Sequence, residues 1–109
     1  MERFMEEKVL ELKAEILKAL AQPTRLKILE LLRNGEKCIC EIVPALNGEQ
    51  SNISRHISLM QKSHLVTTRK EGVRVMVGVK DQKIFDVLDR ISQILQSRIK
   101  EQERLFLSV

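Results

Sequence analysis

The chain reads as a mainly α protein carrying one two-stranded β-hairpin, and three observations predict that fold class. Apolar residues recur at helical spacing over five separate stretches of the 109 residues. One further stretch, 65–79, is instead rich in β-branched residues on both sides of Gly72. The breaks between stretches carry helix stop and start signals, namely Gln22-Pro23-Thr24, Asn34-Gly35 and Asn47-Gly48.

Taken in order, Met5, Val9, Leu12, Ile16 and Leu20 form the stripe of a first helix that ends near residue 21, widened by Leu10 and Leu17. Pro23 suits the first turn of the next helix, which Leu26, Ile28, Leu29, Leu31 and Leu32 carry to Asn34-Gly35. Ile39, Ile42, Val43 and Leu46 mark a short third helix. After Asn47-Gly48 comes the stretch around which the chain is organised, Gln50 to Lys62. Its Ile53, Ile57 and Met60 make one narrow apolar stripe. A short helix, a tight break and a second helix with a polar outer face form a helix-turn-helix. The hairpin over 65–79 then acts as a wing, with Arg69, Lys70 and Arg74 near its tip. From Asp81 to about Leu107 the period is helical again, with Ile84, Val87, Leu88, Ile91, Ile94, Leu95 and Ile99 on one side. The expected organisation is thus one winged helix-turn-helix domain over 1–109: a dimerisation helix at 1–21, a helical core at 23–62, the wing at 65–79 and a second dimerisation helix at 81–107.

Composition narrows the partners. Three Phe with no Trp or Tyr leave little for stacking single-stranded bases. No apolar run approaches the roughly 20 residues that cross a bilayer, and the N-terminus alternates Glu and Lys, so the expected location is the cytoplasm. The net charge of +4 is unevenly spread: residues 50–83 hold seven Lys/Arg against Glu71 and Asp81, and the rest of the chain is balanced to within one charge. A basic excess confined to the second helix of the helix-turn-helix and the wing is the footprint of a polyanion. Between Gln50 and Lys70 there is no acid at all. Short hydroxyls let a helix approach a surface closely, and an Arg fork donates to phosphates or base edges. The expected DNA-binding set is Gln50, Ser51, Asn52, Ser54, Arg55, Ser58 and Lys62 on the helix, with Arg69, Lys70 and Arg74 on the wing. Two long amphipathic helices flanking about sixty residues leave too little core to cover both stripes, so a homodimer on a palindromic duplex is expected.

No glycine-rich phosphate loop, nucleophile elbow or His/Cys/Asp group at catalytic spacing is present, and an enzyme is not expected. Two rival classes stay open: a nucleic-acid architectural protein without sequence preference, and a thiol protein that carries metal without answering to DNA. His56 sits beside the apolar stripe and is expected to be half-buried and hydrogen-bonded; His64 is expected to be a turn or packing residue.

The runs Gln22-Pro23-Thr24-Arg25-Leu26-Lys27-Ile28-Leu29, Cys38-Ile39-Cys40-Glu41-Ile42, Gln50-Ser51-Asn52-Ile53-Ser54-Arg55-His56-Ile57, His64-Leu65-Val66 and Arg69-Lys70-Glu71-Gly72 resemble, in order and spacing, the ArsR-type winged-helix repressors. The resemblance covers about residues 15–90. It implies a dimeric transcriptional repressor released from its operator by an inducer such as arsenic, antimony, zinc or cadmium. By position, Gln50, Ser51, Ser54 and Arg55 would face bases and the wing basics phosphates. Of the family's two sensing sites, the zinc site on the last helix is missing: Asp81 matches, but Lys83, Ile94 and Ser97 stand where ligands are expected. The other, a Cys-x-Cys pair before the recognition helix, matches at Cys38 and Cys40. A third thiolate is missing, since Val43 stands at one of its places and the N-terminal arm has no Cys.

The cysteines admit three readings. They could be small hydrophobes in the core, although Ile39, Ile42, Val43 and Leu46 already define the buried face and a regular helix would put Cys38 and Cys40 on its flanks. They could form a disulfide, which the small strained ring and a reducing compartment disfavour. Or they could bind a soft ion. Residues two apart on a helix point about 200° apart, so both thiols reach one ion only if the helix starts at or after them, or frays there. No resident cofactor is expected. As(III) or Sb(III) is the first-choice effector, and Cd(II), Zn(II) or Pb(II) would need further donors such as Glu36, Glu41 or an external thiol. Redox or persulfide chemistry at the same pair stays open.

Overall fold

The computed structural model describes residues 2–108. Five helices and three strands follow one another as α1 (Glu2–Leu20), α2 (Pro23–Leu31), β1 (Lys37–Cys38), α3 (Ile39–Ala45), α4 (Gln50–Lys62), β2 (Val66–Glu71), β3 (Arg74–Val79) and α5 (Lys83–Leu107). Pro23 occupies the first turn of α2, and the Gln22 side chain accepts the Arg25 N–H that has no partner inside the helix. Gly35 has φ +139°, a backbone conformation open to glycine, and turns the chain from α2 into β1. Asn47, at φ 50°, and Gly48 make the break between α3 and α4; a Cβ on Gly48 would lie 2.9 Å from Ile53 Cγ1, so the break is tight enough to need glycine.

The hairpin has the expected turn. Glu71 faces Arg74 across a two-residue loop in which Gly72 takes φ +63°. The sheet, however, has three strands in the order β1-β3-β2, all antiparallel, where two were expected. Strand β1 is only two residues long, Lys37 opposite Val77 and Cys38 opposite Met76. Two residues carry no period, which is why the strand has no sequence signature.

The core is assembled from Ile28 and Leu29 of α2, Leu32, Ile42 of α3, Ile53, Ile57 and Met60 of α4, Leu65, Val66, Val77, and Phe85 and Leu88 of α5. Each such side chain contributes roughly 1.5–3 kcal/mol when taken out of water. The expected stripe of α4 is therefore the buried one, and its opposite face is left outward.

The stripes of the terminal helices behave differently. In α1 only Ala19 and Leu20 are buried, while Met5, Val9, Leu10, Leu12, Ile16 and Leu17 are exposed. In α5 burial stops after Leu88, and Ile91, Ile94, Leu95 and Ile99 are exposed. The base of α5 is pinned to α2 by Arg33, which bonds Glu30 and Asp89 and lies 4.7 Å over the Phe85 ring.

Candidate nucleic-acid interface and thiol pair

The outward face of α4 brings together every predicted residue of that helix. Gln50, Ser51, Arg55, Ser58 and Lys62 are exposed, and Asn52 and Ser54 are half-buried. Arg55 Nη2 donates to Asn52 Oδ1 at 3.3 Å, one turn back. Behind this face His56 is buried, at 8% exposure, and its Nδ1 accepts from Arg25 Nε at 3.2 Å. Arg25 also donates to the Ala19 carbonyl, so the imidazole ties α4 to the α1–α2 corner. An accepting Nδ1 requires the neutral ring with its proton on Nε2. Burial first, then the charges of Arg25 and Arg55, push the His56 pKa below its ordinary 6.5. His56 thus has the structural role expected of it. His64, exposed with φ 60°, is a turn residue.

The wing carries ion pairs that the sequence did not reveal. Arg69, Lys70 and Arg74 are all exposed near its tip, but two of the three are already paired. Arg69 makes a bidentate contact with Glu36, at 2.9 and 3.1 Å, and a further ion pair with Glu71 at 3.1 Å. Glu36 reaches it by lying over Gly78, where a Cβ would meet Glu36 Cγ at 3.1 Å. Arg74 Nη2 donates to Glu41 Oε1 at 3.0 Å. Lys70 has no carboxylate partner among the described residues. Sequence reasoning missed these pairs because Glu36–Arg69 and Glu41–Arg74 each join positions 33 residues apart.

The thiol pair also departs from expectation. Helix α3 starts at Ile39, and Cys38 stands before it as the N-cap with extended φ −70° and ψ 145°. Its side chain turns back over the helix, accepting the Cys40 N–H on Sγ at 3.0 Å. The two Cα atoms are 5.0 Å apart and the two sulfurs are joined as a disulfide. The condition set for both sulfurs to meet, a helix starting at or after them, holds for Cys38 alone: Cys40 lies in the first turn of α3, and the sulfurs meet because the N-cap residue is extended. Cys38 does not lie on a flank, however: it is 2% exposed and part of the core, whereas Cys40 is exposed. Glu41 completes the cap, its Oε1 accepting the Cys38 N–H at 3.1 Å. The run Cys38-Ile39-Cys40-Glu41 has capping-box spacing with a cysteine where Ser or Thr normally stands, a signal that could have singled out Glu41. The donors proposed to complete a divalent site are engaged elsewhere, Glu36 by Arg69 and Glu41 by Arg74. Among the described residues no group of three or more His, Cys, Asp or Glu side chains could hold a metal ion. Nor is any helix of the described residues long and apolar enough to cross a membrane.

A helix-turn-helix with a polar outer face, followed by a basic hairpin, defines a winged helix-turn-helix regulator. The chain belongs to the arsR family of bacterial regulatory proteins, whose family model matches residues 22–68; this is a family of DNA-binding transcriptional regulators, not of enzymes. It is 37% identical over 82 residues to an uncharacterized HTH-type transcriptional regulator of Methanocaldococcus jannaschii, an overlap of 74% of this chain and 92% of that one. It is 40% identical over 80 residues to the arsenical resistance operon repressor of Staphylococcus xylosus, covering 73% of each. The fold matches a homodimeric winged helix-turn-helix domain, fragment 1–100 of a possible ArsR-family regulator of Mycobacterium bovis. That match has a TM-score of 0.78 at 24% identity and covers 88% of this chain and 89% of that one.

Proposed function

We propose that the protein is a cytoplasmic, homodimeric, sequence-specific repressor that leaves a palindromic operator when a thiophilic ion, arsenite or antimonite first, binds Cys38 and Cys40. The observation that carries the DNA reading is the division of α4. One face is locked into the core by Ile53, Ile57 and Met60; the other presents three serines, Arg55 and Lys62 with no acid among them. Such a face suits the floor of a major groove, where Arg bidentate to guanine and Gln to adenine are the favoured readouts. Lys70 meets phosphate directly, while Arg69 and Arg74 exchange a carboxylate for phosphate on binding.

The dimer reading rests on the uncovered stripes of α1 and α5, whose apolar side chains a second copy would take out of water. The effector reading rests on the meeting of two sulfurs at the head of α3. From the reduced pair, arsenous acid exchanges two hydroxyls for two thiolates, each thiol proton leaving with a hydroxyl as water; the joined pair must first be opened by a low-molecular-weight thiol, which is oxidised to its own disulfide. Likeness to an arsenical resistance repressor supports the same ion.

One observation favours a second reading, in which the same repressor answers to oxidation: Cys38 and Cys40 are joined. A low-molecular-weight disulfide would be the oxidant, reduced to two thiols as the protein dithiol closes. Titration of the reduced protein onto its own upstream duplex, at one salt concentration, with arsenite, with glutathione disulfide and with neither, separates the readings. Release by arsenite and its loss in Cys38→Ser, Cys40→Ser protein are expected. Arsenite release that survives in the double variant removes the thiol site, and equal affinity for scrambled DNA removes the repressor.

A further inference from the structure

The wing ends in an apolar point. Glu71 and Arg74 close a two-residue turn in which Gly72 has φ +63° and Val73 does not share the positive φ, the pattern of a type II′ turn with glycine first. Such turns are dominated by Gly, Asn and Asp. Val73 is none of these, and at 103% exposure its isopropyl group is left wholly in water. A single exposed valine is ordinary on a protein surface. This one is set apart by its neighbours. Lys70, opposite Val75 along the hairpin, has no carboxylate partner among the described residues. Arg69 and Arg74 are held by Glu36 and Glu41, and Glu71 by Arg69, so the foremost side chain of the wing is a hydrocarbon and not an arginine. Val73 also shares the rim of a cavity of about 560 Å³ with Gln50, the first residue of α4, which places the point of the wing beside the leading end of that helix.

We propose that Val73 is a specificity-determining residue: it enters the minor groove beside each half-site and selects A·T pairs there by excluding the 2-amino group of guanine. This rests on the DNA-binding reading given above. With α4 in a major groove, a hairpin beside its leading end crosses one phosphate strand, where the wing cations find their partners, and its point meets the next minor groove. That groove is roughly 6 Å wide, and its floor shows only acceptors at A·T and T·A pairs but carries the guanine 2-amino group at G·C pairs. A branched hydrocarbon makes no hydrogen bond and so does not distinguish A from T. It does distinguish G: the 2-amino group takes the space of a methyl, and its N–H loses water without gaining an acceptor.

The rival source of such a preference is groove width, since A·T runs narrow the minor groove and draw in any cation, Lys70 included. Val73→Ser and Lys70→Met separate the two, because the first removes the methyls and the second the charge. Serine suits the turn, so the first variant keeps the fold, which circular dichroism checks. Hydroxyl-radical footprinting of the proposed operator would locate the minor-groove pairs under the wing. Those pairs are then made all A·T, all G·C or all I·C in duplexes with unchanged half-sites; inosine is guanine without its 2-amino group. Wild-type, Val73→Ser, Val73→Ile and Lys70→Met proteins are compared by fluorescence anisotropy at one salt concentration, with a scrambled-half-site duplex as control.

Wild-type protein should bind the A·T and I·C duplexes about fivefold or more tightly than the G·C duplex, the effect of one disfavoured pair. Val73→Ser should bring that ratio below about twofold, and Val73→Ile should keep it. Lys70→Met should weaken binding to all three duplexes alike, as loss of a phosphate contact does. No minor-groove protection beside the half-sites, an I·C duplex bound as poorly as G·C, or a ratio that survives Val73→Ser overturns the role of Val73 and leaves the repressor reading standing. Equal affinity for the scrambled duplex overturns both.

Discussion

At the scale of single residues, the side chains that decide most here are those facing away from the DNA. His56 is buried with an Arg at its Nδ1, so the folded state holds it neutral. Its pKa is depressed on folding. As pH falls below the ordinary 6.5, the unfolded chain takes up the proton first, and stability declines until the folded ring also titrates. Thermal unfolding between pH 7.5 and 5 should therefore show a fall in wild-type protein that is blunted in His56→Asn; parallel slopes would remove His56 as the cause. Glu36 acts in the opposite sense on DNA binding. The Arg69 guanidinium bonded to it holds its carboxyl below the usual range, and the pair has to open for Arg69 to reach a phosphate. Glu36→Gln should raise affinity for random duplex severalfold at low salt. It should also steepen the plot of log affinity against log salt by about 0.9, one phosphate's worth. An unchanged slope in fluorescence anisotropy titrations would mean that Arg69 never leaves Glu36.

At the scale of elements, α4 was legible from its residues because burial imposes a period. Ile53, Ile57 and Met60 could only be one face, and the serines and Arg55 then had to be the other. The hairpin was legible from its β-branched flanks and Gly72. Strand β1 was not, since two residues pair with β3 only because the loop after Gly35 brings them there. The wing's ion pairs were not legible for a related reason: a sequence displays the arginines, but the carboxylates that hold them come from the residue before β1 and from α3, which tertiary structure alone brings near. Cys38 was read on a helix flank, although as an N-cap it belongs to the turn before the helix, and its side chain points into the core. The prediction proper to α4 concerns Arg55, the one guanidinium on its outer face. Arg55→Ala should cost about 1–3 kcal/mol on the operator and relax the choice at one base pair. Equal losses on operator and random DNA in competition assays would reassign Arg55 to the backbone.

At the scale of the whole molecule, two helices carry apolar stripes that this protomer does not cover. Ile91, Leu95 and Ile99 of α5 are each 44–53% exposed, and Leu12 and Ile16 of α1 are 43–47% exposed. A second copy covering them would also set two α4 helices at a fixed separation, which is how a two-fold protein reads a two-fold site. Leu95→Glu should shift the protein to monomer in sedimentation velocity while helical circular dichroism persists; a dimer of unchanged strength would place the interface elsewhere.

The most direct measurement of the central claim is a stoichiometric titration, at one fixed salt concentration, onto a duplex carrying the proposed two-fold operator from the DNA upstream of the protein's own coding sequence. A matched duplex with one half-site scrambled is titrated alongside. Two protomers should bind the intact repeat together, and scrambling should cost several kcal/mol, within the ~4–10 kcal/mol that separates specific from non-specific binding. A single protomer bound with the same affinity to both duplexes would contradict the account.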